Sequence, residues 1–255
     1  DVYSEYGTFI AAGRERSVAG AAWEGCLYRS TDGAAWSRVH LGGSLLYHME
    51  RTNLRWVVVG ENETMRQSYD DGLTWESVAF PASDHIQAIA YGNGTWFAMA
   101  DRNNDRTYAF TSPDLVTWTE QTWAASFSNN KIARPAWFLN GQFYFGGFAL
   151  GLQSLPDPTQ APTQELSGLD AEDLIFHEGQ FFLAGRINVN GTQTGLLMKK
   201  VPGGPWSANL LPEGSRHRAV IPFQDRLIVV GSGGGIWQSG PISSPNYKGW
   251  WAWQL

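Results

Sequence analysis

Gly179-Gln180-Phe181-Phe182-Leu183-Ala184-Gly185 opens on a turn residue, runs through bulky apolar side chains and closes on a small residue. The pattern recurs at residues 7–13, 54–60, 94–100, 141–147 and 225–231. Its closing small residues are Gly13, Gly60, Ala100, Gly147, Gly185 and Gly231, at steps of 47, 40, 47, 38 and 46. A short apolar run without polar alternation, bounded by turn residues, predicts a strand buried on both faces. Six such strands at steps of this size predict a repeat protein whose units stack face to face.

Two further strands fit each repeat. One precedes the buried run, as at 85–91 and 216–221, and one follows it, as at 26–30, 65–68, 108–112 and 196–200. With a fourth, outer strand this predicts an all-β six-bladed β-propeller of four-stranded antiparallel blades. The expected blades span 1–42, 43–82, 83–125, 126–168, 169–212 and 213–255 in a single domain. The chain is expected to begin on an inner strand and end on an outer one, so that no strand is swapped between blades.

A second motif follows three of the third strands. Its copies are Ser30-Thr31-Asp32-Gly33-Ala34-Ala35-Trp36, Ser68-Tyr69-Asp70-Asp71-Gly72-Leu73-Thr74-Trp75 and Ser112-Pro113-Asp114-Leu115-Val116-Thr117-Trp118. The Asp carboxylate suits turn amides, and Gly suits the positive φ of a tight turn. Trp36, Trp75, Trp118 and Trp206 are expected to pack in the core beneath neighbouring blades. The fourth repeat, with Pro156, Pro158 and Pro162, has lost the motif.

These turns resemble the Asp box of sialidases and related propellers. The resemblance makes Asp32, Gly33, Trp36, Asp70, Gly72, Trp75, Asp114 and Trp118 structural, because the box lies on the outer edge in those folds. Residues 139–147 are also similar to kelch repeats. Phrases such as Ala90-Tyr91-Gly92-Asn93-Gly94-Thr95-Trp96-Phe97 are similar to repeats of bacteriophage virion and tail proteins.

The inner strands carry the candidate site. Aligned on the buried runs, one column reads Val2, Tyr47, Gln87, Arg134, Glu172 and Arg218. Two residues earlier stand Leu45, His85, Ile132, Asp170 and Arg216. On one reading, Tyr47, Gln87, Arg134, Glu172, Arg216 and Arg218 bind a ligand, since arginine forks suit carboxylates and sugar hydroxyls. On the other they pair with each other across a wet channel, as Arg134 and Glu172 would. The sialidase resemblance implies chemistry at Glu172, Tyr47 and Asp170, with Asp173 a further carboxylate. The family's Arg-Ile-Pro motif is absent from the first repeat, where Arg14 and Arg16 fall on the wrong strand.

Charge and composition exclude other classes. The net charge is -6 with no basic run, so no nucleic acid is expected. No apolar stretch has the roughly 18 residues of a spanning helix, and no membrane insertion is expected. Cys26 is the single cysteine, which rules out an internal disulfide and a cysteine-based zinc site. The five histidines lack metal-ligand spacing; His85 and His217 lie nearest the polar column. Neither metal nor cofactor is implied, and the Gly-rich stretch 231–235 predicts a turn. Trp23 and Trp237 are expected in loops, either at a surface groove or in edge packing.

The sequence thus favours a non-enzymatic recognition propeller in a virion or extracellular setting, contacting a surface glycan or a partner protein. A secreted sialidase-like glycoside hydrolase or polysaccharide lyase is the alternative, and a plain scaffold is a third class.

Overall fold

The computed structural model describes residues 2–5, 7–16, 18, 21–52, 54–81, 85–102, 106–127, 132–148, 150–210, 217–231, 235–242 and 250–254. The fold is all-β, a six-bladed β-propeller in which every blade is a four-stranded sheet of consecutive strands. The first sheet holds β1 (Val2–Glu5), β2 (Thr8–Glu15), β3 (Glu24–Ser30) and β4 (Ser37–Leu41). The second holds β5 (Leu46–Arg51), β6 (Trp56–Gly60), β7 (Met65–Ser68) and β8 (Glu76–Ser77). The third holds β9 (His85–Gly92), β10 (Thr95–Arg102), β11 (Arg106–Ser112) and β12 (Thr119–Glu120). The fourth holds β13 (Ile132–Leu139), β14 (Gln142–Phe148), β15 (Gly151–Leu155) and β16 (Thr163–Leu166). The fifth holds β17 (Leu169–His177), β18 (Gln180–Val189), β19 (Thr192–Lys200) and β20 (Ser207–Leu210). The sixth holds β21 (His217–Phe223), β22 (Arg226–Gly231), β23 (Gly235–Ser239) and β24 (Trp250–Gln254). Among the described residues no strand is exchanged between sheets. The chain groups into two compact units, residues 1–143 with 155–162, and residues 144–154 with 163–255.

In the first unit, β6 shows why the buried run is uninterrupted. Successive side chains of a strand point to opposite faces. Trp56 and Val58 enter a core with Ile10, Ala12 and Leu27 of the first sheet. Val57 and Val59 enter a second core with Ile86, Ile89, Trp96 and Phe110 of the third. Each face of β6 therefore meets a different sheet, and every residue of the strand is buried. A fully buried large apolar side chain contributes about 1.5–3 kcal/mol. The middle strands β2 and β22 differ: their burial alternates, so one face is less covered.

The three Ser-x-Asp turns share one set of bonds. The Asp32 carboxylate accepts the N–H groups of Ala34 and Ala35, both at 2.8 Å, and the Ser30 hydroxyl accepts the Gly33 N–H at 2.9 Å. Asp114 accepts amides at both corresponding places, from Val116 and Thr117, and Asp70 accepts the Thr74 N–H. Each Trp indole donates to the carbonyl at the Gly position, 3.0–3.1 Å away. The Thr74 hydroxyl and amide hold the Asp70 carboxyl at about 2. Leu115 adopts φ 70° where the other turns have Gly33 and Gly72. Its side chain is buried in the core, which offsets the cost of a left-handed non-Gly residue.

Two expectations about this motif need correction. Trp36 is 38% exposed rather than core, with Phe9 of its own sheet edge-on at 6.3 Å. Trp118 reaches back to Phe80 of the β8–β9 connection at 5.1 Å, and Trp75 packs on the core shared with the first sheet. The fourth repeat also keeps an Asp-capped turn, since Asp157 accepts both the Thr159 N–H and its hydroxyl. A short 3-10 helix, Thr122–Ser126, was not expected either. It places Trp123 against Phe97, with the indole donating to the Pro158 carbonyl at 3.1 Å.

His48 of β5 bonds to β9, accepting the Ile89 N–H at Nδ1, 3.3 Å away. Burial pushes this imidazole down to about 4. An unfolded chain, with His near 6.5, binds the extra proton first as pH falls. We therefore expect up to about 3 kcal/mol of stability to be lost between roughly pH 6.5 and 4. Urea melts across this window should show the loss, and His48→Gln should flatten it. An unchanged pH slope in that variant would refute the assignment.

In the second unit, Phe182, Ala184 and Leu197 of the fifth sheet pack with Val220, Leu227, Val229 and Trp237 of the sixth. Trp237 is in β23, not a loop, and is 6% exposed with His217 edge-on at 4.7 Å. Its place in the core removes it from any surface groove. Residues 232–234 of the Gly-rich turn lie outside the described residues.

Candidate functional site

The polar column of the first strands coincides with a backbone irregularity. In the β5/β6 ladder, Leu46 pairs with Gly60 and His48 with Val59, which leaves Tyr47 as an extra residue. Gln87 is extra between Ile86 and Ala88 in β9/β10. Glu172 is extra between Ala171 and Asp173 in β17/β18. Arg218 is extra between His217 and Ala219 in β21/β22. Each is a β-bulge, which bends the strand and re-aims one side chain out of the pleat's alternation. The β1/β2 ladder, where Val2 stands in the column, has no bulge. Arg134 lies in β13, but its side chain is outside what the structure describes, as is the whole of Arg216.

Three bulged side chains meet a charged group on the adjacent strand or one residue past its end. The Tyr47 hydroxyl donates to Glu61 at 2.6 Å. The Gln87 amide donates to Asp101 at 2.6 Å. Arg186 approaches Glu172 at 3.9 Å and donates to Asp170 at 2.6 Å. Arg218 stands 3.8 Å from Glu172 and is half exposed. The partners Glu61, Asp101 and Arg186 each follow a closing small residue: Gly60, Ala100 and Gly185. Sequence reasoning stopped at that small residue and missed the charge behind it. The signal was present as one further aligned column.

The closing glycine has a local cause. The Glu61 N–H donates to the Leu45 carbonyl at 2.9 Å, folding the bulged strand over Gly60. A Cβ on Gly60 would overlap the Leu45 carbonyl oxygen, and one on Gly185 would overlap that of Asp170. The bulge and the glycine are thus one device.

Gln87 and Asp101 are both nearly inaccessible, and Gln87 Oε1 and Asp101 Oδ2 have no hydrogen-bond partner among the described residues. Asp173 has a structural part: one oxygen accepts the Val220 N–H at 2.8 Å, tying β17 to β21. His85 accepts the Asn62 N–H at 3.1 Å. His217 is fully buried, and burial lowers its basicity. Among the described residues no group of three or more His, Cys, Asp or Glu is placed to hold a metal ion. No helix there is long and apolar enough to cross a membrane.

Comparison with known proteins supports the fold. YCF48 bound to D1 peptide is 16% identical over 81% of this chain and 67% of that one, with a TM-score of 0.58. YCF48 from Cyanidioschyzon merolae is 14% identical over 86% and 75%, with a TM-score of 0.61. A structure of the nidogen/laminin complex is 11% identical over 92% and 90%, with a TM-score of 0.65. No protein-family model matches the chain, and no curated protein matches it. At these identities the likeness is one of fold.

Proposed function

We propose that the chain is a non-enzymatic recognition module that engages a partner protein through bulged first-strand residues, Glu172 and Arg218 of the second unit. The observation that carries this reading is that both stand at β-bulges, as Tyr47 and Gln87 do in the first unit. Bulges are concentrated where a fold re-aims side chains for function. Solved propellers of similar fold include YCF48 with a D1 peptide and a nidogen/laminin complex, which supports a protein as the partner class. The three Ser-x-Asp turns act as Asp boxes in this reading and tie hairpins rather than bind. A virion or extracellular surface is the setting we propose, on the resemblance of the repeats to tail proteins.

One observation favours a protein partner over sugar chemistry. Trp23 is 43% exposed, but Arg14 and Arg16 already stack on its ring at 4.7 and 4.3 Å, where a sugar would lie. A displayed peptide library selected on the wild-type protein should yield binders that lose at least about tenfold in affinity to Glu172→Gln/Arg218→Ala. Sialosides, acidic polysaccharides and a glycan array should show neither turnover nor binding. Turnover abolished by Glu172→Gln would replace this reading with the hydrolase.

A further inference from the structure

At the other end of β5, away from Tyr47, a cleft of about 140 Å³ opens between the β5–β6 turn and the turn after β7. Arg51, Leu54, Arg55, Trp56, Tyr69 and Asp71 line it. The Thr52 hydroxyl accepts the N–H groups of Leu54 and Arg55, both at 3.2 Å, which fixes the turn carrying Arg55. Arg55 Nη1 donates to Gln67 Oε1 at 2.8 Å and to the Tyr69 hydroxyl at 2.9 Å. Its guanidinium also lies 5.6 Å from the Tyr69 ring and 5.4 Å from the Trp96 ring. The head group is therefore held from one corner and by two aromatic neighbours. Arg55 Nε and Nη2 donate to no protein group among the described residues. These two nitrogens form one edge of the guanidinium, with parallel N–H bonds spaced like the two oxygens of a carboxylate.

The carboxylate nearby is already engaged. Asp71 accepts from Arg29, Arg51, Trp56 and Thr8. Arg29 and Arg51 both donate to this carboxylate, so Asp71 is occupied from the first and second sheets while Arg55 lines the same cleft. Leu54 is 80% exposed and Tyr69 is 60% exposed at the rim. Arg, Tyr and Trp beside an apolar rim match the composition of binding hot spots.

We propose that this cleft docks an acidic segment of a partner polypeptide. The Nε–Nη2 edge of Arg55 takes both oxygens of a Glu or Asp side chain, while Leu54 and Tyr69 cover an apolar residue beside it. The site is separate from the first-strand column, so either can fail without the other.

Fluorescence polarisation with a labelled peptide of alternating Leu and Glu, and the same peptide with Gln for Glu, tests it. The acidic peptide should bind at least about tenfold more tightly than its Gln counterpart. Arg55→Lys keeps the charge and loses the fork, and should weaken binding about tenfold. Tyr69→Phe frees one of the groups holding Nη1 and should cost about two- to threefold. Arg38→Lys, on the first sheet, should leave binding unchanged. The proposal is overturned by equal binding of the Gln peptide, by wild-type affinity in Arg55→Lys, or by inorganic phosphate displacing the peptide at concentrations where acetate does not. Should Arg55→Lys fail to melt cooperatively, an undiminished affinity in Tyr69→Phe overturns it instead.

Discussion

Gly60→Ala is expected to destabilise the protein by about 2–3 kcal/mol, an unusually large effect for adding one methyl group. The new Cβ would overlap the carbonyl oxygen and carbon of Leu45 and the Cα of Leu46. All three are backbone atoms, so no side-chain rotation relieves the clash. The Leu45 carbonyl is also the acceptor of the Glu61 N–H, and moving it breaks that bond. The effect should therefore spread to the site, because Tyr47 and Glu61 flank the same bulge. A drop in the urea midpoint with an unchanged slope would show this. Gly185→Ala should behave alike, since its Cβ meets the Asp170 carbonyl. The third sheet has Ala100 at this position, so Ala100→Gly should cost much less than either. Wild-type stability in Gly60→Ala would mean that the bulged strand does not fold over its neighbour.

Asp71→Ala is expected to cost about 2 kcal/mol. Arg29 donates through Nε to the Asp71 carbonyl at 2.8 Å and through Nη2 to its carboxylate at 3.2 Å. Arg51 and the Trp56 indole reach the other carboxylate oxygen at 3.4 and 3.3 Å. Removing that carboxylate leaves two arginines that are only 18% and 12% exposed facing one another's charge. Loss of one partner from a fully buried pair costs about 3–5 kcal/mol. The Asp71 side chain is 40% exposed, so water screens part of this, and the lower figure follows. Asp71 also holds φ 60°, which Asp and Asn tolerate better than Ala. Asp71→Asn should therefore recover about half of the loss. Thermal melts of the two variants check the order, and equal stability in Asp71→Ala would show that the hub contributes nothing.

The polar column was legible because it depends only on counting back from each buried run. Tyr47, Gln87, Glu172 and Arg218 fall at equivalent bulges despite repeat steps from 38 to 47 residues. What they bond to was not legible. Arg134 and Glu172 were candidates for a pair across a channel; the Arg134 side chain lies outside the described residues, and Glu172 stands between Arg186 and Arg218. Asp71 was given no role, because nothing in Ser68-Tyr69-Asp70-Asp71-Gly72 distinguishes its two acidic residues. Asp70 faces its own turn and Asp71 faces the first sheet, a difference set by backbone direction at a positive φ.

By itself the sequence determined that an apolar run would recur six times as a middle strand, and hence how many sheets there would be; burial on both faces holds for β6, whereas β2 and β22 alternate. Burial of that kind is a local property: an apolar run with no polar alternation has no stable solvent-facing side. Tertiary structure alone decided which polar groups meet. Ion pairs such as Arg29–Asp71 and Arg218–Glu172 join residues more than forty positions apart, and a bulge exists only relative to the strand beside it. The same distinction applies to the tryptophans. Trp36 and Trp118 share a motif, yet Trp36 is 38% exposed while Trp118 packs on the core through Phe80.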